Sequence, residues 1–118
     1  MIIVFAEDHT VAVLPDAASV RRECEAVDVE NGVYNFFDEL GRHLLPRFTT
    51  PVERRSLFFG WTEAVGGGNF ELELDPQDQG LAFQASLQNV IAIESNQRFE
   101  TIADLARHVA ENRKRMGI

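Results

Sequence analysis

Four groups of residues in this chain could do chemistry: the histidines His9, His43 and His108; the lone Cys24; the run Gly66-Gly67-Gly68; and a dense set of carboxylates. A zinc site would need histidines at helical spacing or a cysteine pair, and the three histidines offer neither. Asp104 and His108 stand four apart on one helix face, opposite its apolar stripe, and read as a solvent-facing pair rather than half of an acid–base site. Cys24 shares a helical stripe with Ala17, Val20 and Val27 and reads as a small core hydrophobe. A nucleophilic set of Cys24, His43 and Asp38 would need a thiol lowered by a cation or a helix N-terminus, and Cys24 has neither around it. The triple glycine lacks the Lys and Ser/Thr that a phosphate loop places at its end. Asn69-Phe70-Glu71-Leu72 follows instead, so the glycines read as the tip of a hairpin.

The carboxylates are the feature that stands out. Glu71, Glu73 and Asp75 alternate with Phe70, Leu72 and Leu74, which gives a strand with one buried face and one acidic face. Glu63 can join them from the facing strand. Like charges so placed are unfavourable unless a cation or basic partner meets them. Trp61 or Tyr34 would serve as an aromatic anchor beside such a surface. The expected partner-binding residues are therefore Glu63, Glu71, Glu73, Asp75, Trp61 and Tyr34. No catalytic residue, metal ligand or cofactor is expected.

The elements that must position these groups follow from periodicity. Ile2 to Phe5 and Val11 to Leu14 read as an N-terminal hairpin. Asp16 caps a helix that runs to about Ala26, and Asn31-Gly32 marks a turn. Val33 to Phe37 is a strand apolar on both faces, which predicts that it is central or covered by helices. Asp38 to Gly41 reads as a type I turn, with positive φ at the glycine. Leu44-Leu45 begins a return strand that Pro46 either ends or confines to an edge. Phe48 to Arg55 reads as loop. Ser56 to Val65 alternates as a strand and pairs with Phe70 to Leu74 across the glycines. Asp75-Pro76 looks like a helix start, predicting a helix over 76–88, although the same segment also alternates like a strand. Val90 to Glu94 is a short strand. The last helix is the clearest: Thr101 caps it, Ile102, Leu105, Ala106, Val109 and Met116 form its stripe, Arg113-Lys114-Arg115 sits in the last turn, and Gly117 ends it.

These elements predict a single α+β domain over 1–118. It should hold a mostly antiparallel sheet of four to six strands with two or three helices packed on one face, the C-terminal helix over the aromatic strands. A chain of 118 residues, 45% hydrophobic and 25% charged, can bury a core without staples. One cysteine fits a reducing compartment. No basic segment precedes a long apolar run, so neither a secretion signal nor a membrane span is expected, and the bacterial cytoplasm is the default location. The net charge of −8 disfavours nucleic acid and would steer a basic protein towards the chain. Arg54-Arg55 and Arg113-Lys114-Arg115 are too short to make a nucleic-acid surface. The functional expectation is protein binding without catalysis, most concretely an immunity protein or antitoxin that covers a basic, nuclease-type toxin. The alternative is a small ligand-binding or enzymatic domain, with a pocket between the helix layer and the aromatic sheet presenting Tyr34, Asp38, His43 and Trp61.

Overall fold

The computed structural model describes residues 1–56 and 62–118, and for Ser56 and residues 62–65 the backbone alone. The class is α+β, as the periodicity predicts. Among the described residues, six strands form one mixed sheet in the order β5-β4-β3-β1-β2-β6. β1 (Ile2–Ala6) and β2 (Thr10–Leu14) form the expected antiparallel hairpin, and β1 also pairs antiparallel with β3 (Tyr34–Phe37). β4 (His43–Ser56) and β5 (Thr62–Leu74) run antiparallel beside β3. β6 (Ala92–Ile93) joins the far edge parallel to β2.

Among the described residues four helices cover the sheet, and they lie on both faces rather than one. α1 (Ala17–Glu23) and α2 (Ala26–Glu30) bring Val20, Cys24 and Val29 onto Val4, Phe36, Leu44 and Phe70. α3 (Leu81–Asn89) and α4 (Ile102–Met116) bring Phe83, Leu105 and Val109 onto Ile3, Phe5, Val11 and Phe37. The cause is written into β1 and β3. Successive strand residues point to opposite faces, so Ile3 and Val4, or Phe37 and Phe36, each need a separate apolar layer. Phe5, Phe37 and Phe83 meet edge to face at centroid distances of 5.3–5.8 Å. The longest helix is α4, and among the described residues no helix is long and apolar enough to cross a membrane.

The helix over 16–26 is broken in two. Asp16 caps α1 by accepting from the Ser19 amide at 2.8 Å. Cys24 and Glu25 then adopt extended backbone before α2 begins. The helix expected over 76–88 starts later, at Leu81. Asp75 and Asp78 do not cap it, because their carboxylates accept from the Gln77 and Gly80 amides in the preceding turn and engage His43 of β4. α4 has the predicted cap and end, with Thr101 accepting from the Asp104 amide and Gly117 at φ +75, but Met116, expected on its apolar stripe, is exposed, and Asn112 is buried instead.

Two expectations around the long strands are overturned. Phe48 to Arg55 is not a loop but the outer half of β4. Pro46 and Pro51 do not stop it, because β3 pairs only with His43 and Leu44. The His43 carbonyl faces β5, accepting from the Asp75 amide. By alternation the Pro46 position faces the side that β3 has vacated, where no ladder donor is needed. The glycines are likewise not a hairpin tip. Gly66, Gly67 and Gly68 lie inside β5, opposite Glu53 and Val52, beside a register shift at Glu53/Arg54. Their φ values of +129, +70 and +91 let the strand bulge without reversing. β4 and β5 are joined instead through 57–61, which lie outside the described residues, as does the middle of the strand expected over 56–65.

Candidate functional site

β4 and β5 make a two-stranded ribbon that continues from Leu45 to Ser56 after β3 has ended. At about 3.3 Å per residue it extends roughly 40 Å. The molecule measures 53 × 29 × 24 Å, and its radius of gyration of 15.7 Å exceeds the roughly 13–14 Å of a compact chain of this size. One side-chain face of the ribbon, carrying Phe48, Phe70 and Leu72, packs towards α1 and α2. The other face carries Leu45, Arg47, Glu71 and Glu73. It lies beyond the core built by α3 and α4, and these side chains are 40–60% exposed.

That second face holds the acidic pair expected from the alternation, and also the cation that such a pair requires. Arg47 stands directly opposite Glu71 and diagonal to Glu73. Its guanidinium donates to Glu71 Oε2 at 2.9 Å and to Glu73 Oε1. The face is therefore a charged fork with a net charge of −1, rather than a row of unpaired carboxylates. Further along the ribbon Arg54 pairs with Glu30 of α2.

The remaining predicted residues are dispersed. Asp75 stands opposite His43 at the inner end of the ribbon, with its carboxylate already engaged. It accepts from the Gln77 amide at 2.9 Å and pairs with His43 Nδ1 at 3.0 Å, and these bonds hold its pKa below the ordinary value. Tyr34 lies on the opposite face of the sheet, packed against the α1–α2 core. Burial raises its pKa, with Cys24, Asp28, Glu25 and Glu94 adding to the effect. Trp61 and the side chain of Glu63 lie outside the described residues. The structure thus brings Glu71 and Glu73 together on Arg47, holds Asp75 on His43 at the end of the same strand, and places Tyr34 on the other face of the sheet.

The polar groups named for the alternative pocket do not converge: Tyr34 lines a cavity of about 150 Å³ beside Cys24 and Glu94, on the other face of the sheet from His43. Phe36 and Phe37 are almost completely buried between sheet and helices. Asp38 is engaged with Arg42 and with the amides of Leu40 and Arg42, and His43 with Asp75 and the Phe37 ring. Among the described residues no group of three or more His, Cys, Asp and Glu could hold a metal ion.

No protein-family model, no curated protein and no solved structure matches this chain.

One polar cluster escaped the sequence reading. His108 pairs not with Asp104, which binds Arg107, but with Glu39 across the fold, Nε2 to Oε2 at 3.2 Å. Asn112 donates to the Glu39 carbonyl, while Arg98 and the Met1 amine lie 3.8 and 3.6 Å from the Glu39 carboxylate. Burial alone would raise the Glu39 carboxyl. The His108 bond and the neighbouring cations outweigh it and leave the pKa lowered. Glu39 and His108 are 69 residues apart, so no local pattern could have signalled the pair.

Proposed function

We propose that this chain binds another protein and performs no chemistry of its own, in the manner of a cytoplasmic immunity protein or antitoxin that covers a basic, nuclease-type toxin. The observation that carries the reading is the β4–β5 ribbon, which extends past β3 with the Leu45, Arg47, Glu71 and Glu73 face uncovered by any described helix. A ribbon of two strands is marginal by itself, and a partner seated on this face would bury its exposed leucine and its carboxylates together. The net charge of −8 supports a basic partner through faster encounter. Arg47 sharpens the expected chemistry. Because it already neutralises one carboxylate, the partner's cation must compete for or share Glu71 and Glu73, which favours an arginine fork over a lysine. The test is purification at native expression from the source cell, identification of the co-eluting protein, and measurement of its affinity for the Glu71→Arg/Glu73→Arg variant. A basic partner whose binding collapses in that variant supports the reading. A partner that binds the variant equally well refutes this surface.

A further inference from the structure

A groove lies between the α1–α2 pair and the glycine stretch of β5, on the opposite side of the ribbon from the proposed partner surface. Its volume is about 290 Å³, at the small end of ligand pockets. Ala26, Val27 and Phe70 give it apolar surface, and Arg21 and Glu25 bring one cation and one anion to it. Both charged side chains are exposed. Neither makes a hydrogen bond or ion pair among the described residues. For Arg21 this contrasts with Arg22, Arg42, Arg47, Arg54, Arg98 and Arg107, which each engage a partner.

The broken helix explains the arrangement. Had α1 continued, Arg21 and Glu25 would be i,i+4 neighbours and would pair with each other. The extended backbone of Cys24 (φ −111, ψ 114) and Glu25 (φ −66, ψ 137) separates them, so each charge remains available to the same groove. The opposite wall is the Gly66 to Asn69 segment of β5. A Cβ at Gly68 would sit 3.1 Å from Ala26 Cβ, so α2 approaches this wall as closely as a bare backbone permits.

We infer that this groove binds a small zwitterion with a short apolar body, in chemical terms a free apolar α-amino acid. Its carboxylate pairs with Arg21, its ammonium with Glu25, and its side chain lies over Val27 and Phe70. A single cation and a single anion suit one carboxylate and one ammonium, and the volume suits a ligand of amino-acid size. The inference stands independently of the protein-binding reading.

The experiment is a titration of the full chain with L-leucine and L-phenylalanine, read from the backbone amides of Gly67, Gly68 and Asn69 by NMR. L-leucinamide removes the carboxylate and N-acetyl-L-leucine removes the ammonium. Arg21→Gln and Glu25→Gln are both exposed substitutions, and the rest of the amide spectrum reports that the fold is intact. The expected result is saturable shifts at these amides with a dissociation constant at or below the millimolar range. The affinity should fall about tenfold or more in Arg21→Gln and for leucinamide, because each removes a hydrogen bond to a charged group. No saturable shift with either amino acid, or equal affinity in Arg21→Gln, overturns the site. Equal binding of N-acetyl-L-leucine overturns the zwitterion assignment.

Discussion

Replacing Gly68 by alanine tests how closely α2 presses on the ribbon. Gly68 has φ +91, and an added Cβ would lie 2.9 Å from Val52 Cγ2, 3.1 Å from Ala26 Cβ and 3.3 Å from Val52 Cα. Two penalties add. An L-residue at positive φ costs about 1–2 kcal/mol. Overpacking against neighbours that include backbone costs about 1–3 kcal/mol. Gly67→Ala is the internal control. Its φ is +70, and its nearest neighbour is the flexible side chain of Glu53 at 3.3 Å, so only the backbone penalty of about 1–2 kcal/mol applies. For a chain of this size about 4 °C of melting temperature is lost per kcal/mol. Gly68→Ala should therefore melt about 8–20 °C below the parent and Gly67→Ala about 4–8 °C below. Differential scanning calorimetry of the three proteins measures the difference directly. Equal destabilisation by the two substitutions would refute the close approach of α2 to β5, and with it the groove between them.

Cys24 should be inert in the folded protein. Burial, with Glu23, Glu94 and Asp28 adding, pushes its pKa up to about 11, so at pH 8 roughly one thiol in a thousand is ionised. Iodoacetamide labelling at pH 8 should be negligible until urea unfolds the chain, and rapid labelling without urea would contradict its burial. Asp75 should contribute to acid lability. Its folded pKa lies below the ordinary 3.8, so its contribution is present above that value and is lost as pH falls through the folded pKa. Asp75→Asn should lower the urea midpoint at pH 6 and flatten the decline as pH falls below about 5, and an unchanged pH profile would sink that assignment. Phe37→Ala should cost about 3–5 kcal/mol, because the ring packs on Phe5, Phe83 and His43, while half-buried Phe48→Ala should cost clearly less in the same denaturation series.

What was legible in the sequence is what local pattern dictates. α4 is announced by its cap, stripe and terminal glycine. β1, β2 and β3 are announced by short β-branched and aromatic runs. The doubly apolar β3 already implied cover on both sides, yet the second helix layer was missed because helices were counted on one face. The ribbon was illegible for a different reason. Prolines at 46 and 51 and glycines at 66–68 normally interrupt strands. Here the prolines are tolerated because a neighbouring strand ends early, which is a tertiary fact. The acidic face was half legible: alternation placed Glu71 and Glu73 together, but Arg47 comes from the cross-strand register. The engagement of Asp75 was illegible because its bond to His43 spans 32 residues.

The proposed seating of a basic protein on the exposed Glu71 and Glu73 face is open to a single binding measurement. The most direct measurement is the dissociation constant of the co-purified partner for the parent chain and for Glu71→Arg/Glu73→Arg. Reversal places three guanidinium groups together and removes both acceptors, and each truncated charge contact costs roughly 2 kcal/mol or more. Binding should be at least about a hundredfold weaker, with the melting temperature within a few degrees of the parent. An unchanged dissociation constant would contradict it.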